Sequence, residues 1–389
     1  MKVPVHTQRS RAPFADLKAD LGRLSALGRH RTLAPFSGLD FTSNDYLGLA
    51  HSRELLDAAG EAVSRKVPVG SGGSRLLRGN HPEHEAVEHA AAGYFGAESA
   101  LYFGSGYAAN QTLFATAPQR ADLVVYDEWI HASVHEGLRR SRAHIVSARH
   151  NDAQSIDNEI CRWREGGGLG RVWIAVESLY SMDGDGPNLA ELDALANHRE
   201  GILVIDEAHA TGVLGPRGRG CAAFLEGRDN VVTVHTCGKA LGTAGAFVCG
   251  PRVLTEFLVN RGRPFIFSTA PSPLVAAITR AALALCEQGD ARRERLTEFV
   301  GLAARELLRH SGLVASGSHI IPIVIGEDRA AAHLAARLRA QGFDVRAIRP
   351  PTVPLGTARL RIALTLNVNE AAIERLFQTL GQEMTACPK

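Results

Sequence analysis

The chain has no long apolar run. Its longest such stretch, Leu274 to Cys286, is broken by Arg280 and falls short of the roughly 20 residues a bilayer-spanning helix needs. The first ten residues, MKVPVHTQRS, lack the apolar core of a secretion signal. Neither sign of charge dominates: 43 Lys and Arg stand against 41 Asp and Glu, for a net charge of +2. No broad field therefore draws the chain to nucleic acid or to an anionic membrane, and no helix-turn-helix or basic patch is appended. Cysteine is sparse. Cys161, Cys221, Cys237, Cys249, Cys286 and Cys387 form no C-x-x-C pair, and no histidine joins them at metal-ligand spacing. His81, His84 and His89 offer no three-ligand set either and read as one polar helix face. The expectation is a soluble, cytoplasmic protein with reduced thiols and no metal.

What is present is ordinary for a globular chain, with 45% hydrophobic and 22% charged residues. A length of 389 residues suggests two or three domains at about 150 residues each. Glycine is in surplus, 39 residues in all, against a usual share of about 7%.

Phe14 to Leu33 reads as a polar helix, with Leu17, Leu21, Leu24 and Leu27 near helical spacing. From about residue 80 helical and strand patterns alternate. Glu83 to Phe95 and the segment from Gly106 onward are helical. Ser99 to Phe103, Leu123 to Tyr126, Val172 to Val176, Ile202 to Ile205 and Val231 to Val234 are short apolar strands without alternation, as a sheet covered on both faces requires. The pattern is α/β, with a large domain built on a mostly parallel sheet. After the break at Ser268–Pro273 comes a long helix, Leu274 to His310, interrupted near Gly289. Strands at Ile320–Ile325, near Val345 and at Arg359–Leu364 then mix with helices at Ala330–Gln341 and from Asn369, which suggests a smaller α+β domain. The divisions expected are an arm over 1–45, a large domain over 46–273 and a small domain over 274–389.

Three stretches carry chemistry. In Ile202–Gly212 an apolar strand ends in Asp206, with His209 three residues on, and ligands of open α/β sheets bind at the carboxyl ends of strands. In Val231–Gly242 a strand leads to Lys239 among small residues, where burial can lower an amine's pKa as a Schiff-base lysine needs. A phosphate-binding P-loop is excluded, because Thr233 and Ala240 stand where it needs Gly and Ser or Thr. In Tyr102–Asn110 a glycine-rich turn opens a helix, so backbone N–H groups and the helix dipole face an anion. The match to G-x-G-x-x-A is weak evidence for a dinucleotide, since the turn does not open a first βαβ unit. An acid, an amine and a phosphate nest in this order fit one cofactor, pyridoxal phosphate.

Over nearly its full length the chain resembles the α-oxoamine synthases of pyridoxal-phosphate fold type I. The likeness is carried by Phe41-Thr-Ser-Asn-Asp-Tyr-Leu-Gly-Leu49, Gly70-Ser-Gly-Gly-Ser74, His131-Ala-Ser133, Glu177–Asp185, Asp206–Gly212 and Thr236-Cys-Gly-Lys239. The segment Ile348–Arg361 narrows it to the branch that condenses L-alanine with a pimeloyl thioester, carried on coenzyme A or an acyl carrier protein, with loss of carbon dioxide. Relatives using glycine or serine, and a non-catalytic pyridoxal-phosphate regulator, are the alternatives. The resemblance implies that Lys239 bonds the cofactor and later acts as base. Asp206 would pair with the ring nitrogen and His131 would stack on the ring. Ser181 and His209 would bond its oxygen, and Thr236, Gly106 and Tyr107 would hold the phosphate. Asn44 and Arg361 would take the amino-acid carboxylate, with Arg359, two positions away on the same face, as rival. Thr352 would lie near the acyl substrate. A homodimer with shared sites is implied, in which Ser268 or Thr269 reaches the neighbour's phosphate. Leu241, where an aromatic is common, and the displaced Pro187 depart from the pattern. Arg29 and Arg31 read as a solvated helix end.

Overall fold

Short runs of Val, Ile and Leu become the central layer. In the computed structural model, which describes residues 13–33 and 35–385, seven strands pair in the order Ser99–Phe103, Ala246–Gly250, Val231–Thr236, Ile202–Asp206, Val172–Glu177, Leu123–Asp127, His144–Ala148. Only Ala246–Gly250 pairs antiparallel with its neighbours; the other pairings are parallel. Every residue of Val172–Glu177 and Val231–Thr236 is buried, because helices cover both faces. Val204 packs on one side with Leu113, Phe114 and Val134. Its neighbours Leu203 and Ile205 pack on the other with Ile156, Ile160 and Leu192. Alternate residues thus feed opposite cores, which explains why these strands show no polar period.

Parallel pairing also brings the strand ends together. Asp127, Glu177, Asp206 and Thr236 are each the last residue of a strand, and Glu177 lies directly across from Asp206. Four polar side chains therefore collect at one edge of an otherwise apolar sheet.

The rest of the chain builds the opposing wall. Arg346–Ile348, Ala358–Ala363 and Ile320–Gly326 form a three-stranded antiparallel sheet. It is backed by a core that includes Leu307, Leu338, Leu360, Leu376 and Phe377. Leu39–Asp40 pairs in parallel with Phe343–Asp344, which ties the segment carrying Asn44 and Tyr46 to this sheet.

The expected long helix is two, Pro273–Glu287 and Asp290–Ser311, meeting at Gly289 as anticipated. The first helix is shorter than its leucine spacing implied, Ala15–Ala26 with no buried residue; Gly28, at φ +67°, turns the chain away. The histidine face is corrected. His84 is fully buried, its ring accepts from the His81 backbone N–H in a capping box, and its Nε2 lies 2.8 Å from the Pro271 carbonyl oxygen. Leu39–Asp40 and two strands of the central sheet escaped the sequence pattern. His144–Ala148 is an exposed edge strand, and Ala246–Gly250 is a short reversed strand that follows the Lys239 turn. The described cysteines are free, with Cys237, Cys249 and Cys286 buried; Cys387 and the first ten residues lie outside the described residues. Among those described, no group of His, Cys, Asp and Glu could hold a metal, and no helix is long and apolar enough to cross a membrane.

Leu376 is fully buried where the last helix meets this core. Leu376→Ala should lower stability by about 2–5 kcal/mol through lost burial and the cavity left behind. The urea midpoint checks this, and a loss below about 1 kcal/mol would show that the helix end is not packed as described.

Candidate functional site

The Asp206 carboxylate is buried and fixed from two sides. Asn110 Nδ2 donates to Oδ2 at 2.6 Å and the Ala208 N–H to Oδ1 at 2.9 Å. Asn110 comes from the helix Gly106–Thr116, whose N-cap Ser105 accepts from the Ala108 N–H, and it also donates to Ser133 Oγ at 3.1 Å. Ser133 in turn lies 2.7 Å from His131 Nδ1. One chain of bonds thus joins the acid at the strand end to His131 at the start of the Ala132–Leu138 helix.

Lys239 lies on the turn after Val231–Thr236. Gly242 closes that turn at φ +66°, and a Cβ there would sit 2.4 Å from the Ala50 N, so no other residue fits. Burial lowers the Lys239 ammonium below its ordinary pKa, although Asp206 and Glu177 pull it back up. Burial also lowers His131, with Asp206 opposing and Lys239 adding to the shift. Glu177 is pushed well above the carboxylate range by burial and then by the Asp206 charge.

Lys239, Asp206, His131, His209, Thr236, Gly106 and Tyr107 surround a cavity of about 120 Å3. His131, His209 and Lys239 also border a larger one of about 800 Å3, whose far wall holds Asn44, Ser181, Thr352, Arg359 and Arg361. The residues present fit pyridoxal phosphate. A buried acid stands ready for a protonated ring nitrogen, a lysine of lowered basicity for the aldehyde, and a helix N-terminus beside Thr236 for the phosphate. The Asn110 Oδ1 and Glu177 Oε1 atoms, both buried, have no partner within the protein.

The two arginines differ. Arg359 is paired with Asp183. Arg361 meets only neutral groups: Nε donates to the Ser181 carbonyl at 2.5 Å, and Nη2 to Asn44 Oδ1 at 2.9 Å and to Tyr46 Oη at 3.2 Å. It is 7% exposed, and a buried guanidinium without an anion is costly. Tyr46 also reaches His209 Nδ1 at 2.6 Å.

Of the residues expected from the sequence, all but Ser268 and Thr269 border these two cavities. Those two are exposed, on a segment bound to the Gly70–Ser74 loop through Ala270 N–H to the Gly73 carbonyl and Ser71 Oγ to that of Pro271. Arg31 also borders the larger cavity, whereas Arg29 pairs with Asp328 at 2.6 Å. The sequence reading assigned no role to Asn110, Tyr46 or Glu177, although all three sit inside segments it quoted.

The chain matches the family model described as aminotransferase class I and II over residues 37–380. It is 40% identical over 380 residues to an 8-amino-7-oxononanoate synthase of Chromobacterium violaceum, covering 94% of this chain and 97% of that one. Among solved structures it is similar to the 8-amino-7-oxononanoate synthase of Francisella tularensis, with a TM-score of 0.74 and 28% identity over 90% and 98% of the two chains. It is also similar to a serine palmitoyltransferase of Sphingomonas wittichii, with a TM-score of 0.85 and 26% identity over 96% and 98%.

Three buried imidazoles test the electrostatics. Burial pushes His235 and His319 down to about 3 and His209 well below its ordinary value. The unfolded chain binds protons at these positions below about pH 6.5, while the fold does not until its own lower pKa is reached, so stability falls with pH across that window. Buried Glu207 and Glu226, both raised to about 7, add stability as pH falls through the same window, so the histidine share is read as a difference: between about pH 7 and pH 5 the urea midpoint of the wild type should fall relative to that of His235→Gln. An equal change in the variant would contradict the burial of a neutral ring.

Proposed function

The chain belongs to the aminotransferase class I and II family, and within it we propose that it condenses L-alanine with a pimeloyl thioester to give 8-amino-7-oxononanoate, carbon dioxide and the free thiol, in biotin synthesis. Its likeness to curated 8-amino-7-oxononanoate synthases at 40–43% identity supports this branch. Pyridoxal phosphate is the cofactor, and when bound it supplies an electron-withdrawing ring that stabilises negative charge at the substrate Cα.

The single observation that carries the residue roles is the uncompensated charge of Arg361 opposite Lys239 and Asp206. A buried guanidinium facing only neutral acceptors is a receptor for a carboxylate, and Asn44, already on its Nη2, orients it. Arg359 is discounted as the receptor because Asp183 already occupies it. With the carboxylate of alanine on Arg361, the Lys239 Nζ, its basicity reduced by burial, takes the proton from Cα. The Asp206 carboxylate, kept in place by Asn110, would hold the ring nitrogen's proton. His131 would cover the ring face, Ser181 and His209 would flank its oxygen, and Thr236 with the Gly106 and Tyr107 N–H groups would hold the phosphate. The new carbon–carbon bond joins Cα to the acyl carbonyl carbon. The thiol leaves, the carboxylate departs as carbon dioxide, and a proton returns to Cα. Thr352 lines the side open to the acyl chain.

The reading includes a cytoplasmic homodimer. Its support is an exposed apolar patch of Val69, Leu76, Leu77 and Phe267 around Ser268 and Thr269, which would face the partner's phosphate. The division into an arm, a large domain and a small domain at 45/46 and 273/274 belongs to the same reading. Serine palmitoyltransferase is the second reading, favoured by the closer structural superposition.

Mass spectrometry of products from alanine, glycine or serine offered with pimeloyl, acetyl or palmitoyl thioesters decides between them. The expected product is 8-amino-7-oxononanoate, and a product from serine and a palmitoyl thioester would overturn the proposal. Arg361→Ala should raise the KM for alanine about 100-fold, as expected for loss of a charge-assisted contact. An unchanged KM would return the role to Arg359.

A further inference from the structure

Beyond the strand end of Leu123–Asp127, and outside the groups given a role above, His150 sits between two carboxylates. Its Nδ1 is 2.9 Å from Asp127 Oδ1 and its Nε2 is 3.0 Å from Asp185 Oδ2. An ionised carboxylate can only accept, so a ring that bonds both of them donates from both nitrogens and is a cation; Asn151 Nδ2, 3.0 Å from Nε2, then gives its proton to Asp185 Oδ2 instead. The ring also stacks on Trp129, with centroids 4.0 Å apart and planes at 22°, and meets Tyr180 edge-on at 4.5 Å. Trp129 and Tyr180 both line the larger cavity.

Asp185 is the closing residue of a turn. Its carbonyl accepts the Tyr180 N–H at 2.7 Å, and its carboxylate is held a second time by Asn151 Nδ2 at 3.0 Å. That turn presents the Ser181 carbonyl to Arg361 and Asp183 to Arg359. His150 therefore holds in place the turn on which Arg361 rests.

We propose that His150, as an imidazolium bridging Asp127 and Asp185, is a positioning residue that fixes the Tyr180–Asp185 turn and the Trp129 wall, and through them the orientation of Arg361. The proposal rests on the reading of Arg361 as the carboxylate receptor.

The groups facing the ring are Asp127 from the strand, Asp185 from the turn, the Asn151 amide at 3.0 Å from Nε2, and Tyr180 and Trp129 from the cavity wall. On the backbone side, Glu128 Oε1 accepts the His150 N–H at 3.0 Å, and Arg149 and Asp152 pair with each other at 2.7 Å. Burial lowers the imidazole, but the two carboxylates outweigh it and raise it to about 9. Burial likewise raises Asp127, but hydrogen bonds from His150 and from the Asn151 and Trp129 N–H groups prevail and hold it below the usual carboxylate value. A raised histidine stabilises fully below its unfolded value of 6.5 and loses that contribution as pH rises through about 9.

The test uses the holoenzyme and reads tryptophan fluorescence against pH, because an imidazolium stacked on an indole quenches it more than a neutral imidazole does. Wild-type emission should rise with a midpoint near pH 9, and His150→Gln should lack that step. His150→Gln should also raise the KM for alanine about tenfold while kcat stays within about twofold. If His150→Gln does not fold, Asp185→Asn carries the test. It keeps the ring but removes one carboxylate, so the step should move to lower pH and the KM should rise. A step that survives in His150→Gln, or an unmoved midpoint in Asp185→Asn, would refute the bridge. A lost step with an unchanged KM would refute the positioning role. A wild-type protein that shows the step but does not turn over alanine would refute the functional reading and not the bridge.

Discussion

The site depends on one constraint: the Asp206 side chain is kept in a nearly dry place at the end of its strand. Burying a carboxylate is costly unless its oxygens are bonded. Here Asn110 and the Ala208 N–H supply those bonds at 2.6 and 2.9 Å. Glu177, across the ladder from Asp206, is pushed well above the carboxylate range by burial and then by the Asp206 charge. Burial lowers the Lys239 ammonium, with Asp206 and then Glu177 opposing.

The sheet makes that arrangement possible. Parallel strands buried on both faces are mostly apolar along their length, with exceptions such as the hydrogen-bonded Thr233 and His235, so acidic groups collect at their ends. Asp127, Glu177 and Asp206 are three such ends. Their surroundings differ: Asp127 meets the His150 ring, Glu177 is raised well above the carboxylate range by burial, and Asp206 accepts two hydrogen bonds with room left for a ligand. The C-terminal sheet supplies the opposite sign through Arg346, Arg359 and Arg361; among the described residues Arg346 pairs with Asp344 and Arg359 with Asp183, whereas Arg361 meets neutral acceptors.

Much of this was legible in the sequence because it is local. Lys239 and Asp206 each follow an apolar strand directly, and Gly104-Ser-Gly106 opens a helix, so strand-end chemistry could be read from short windows. What could not be read is carried by contacts between distant segments. Asn110 lies 96 positions from Asp206, Asn44 lies 317 from Arg361 and His150 lies 35 from Asp185. No periodicity encodes such pairings. The choice between Arg359 and Arg361 was also invisible, because both point the same way from one strand and only the position of Asp183 separates them. His84 misled for the opposite reason: a histidine amid polar helix residues reads as solvated until the Pro271 carbonyl closes over it.

The central claim, that Lys239 opposite Asp206 bonds the cofactor, is tested most directly by reducing the holoprotein with borohydride and mapping the pyridoxyl group by mass spectrometry. The chain has few lysines to choose from, at positions 2, 18, 66, 239 and 389. The account predicts one pyridoxyl group per chain, on the peptide containing Lys239. A stoichiometric label on Lys18 or Lys66, with Lys239 unmodified, would contradict it.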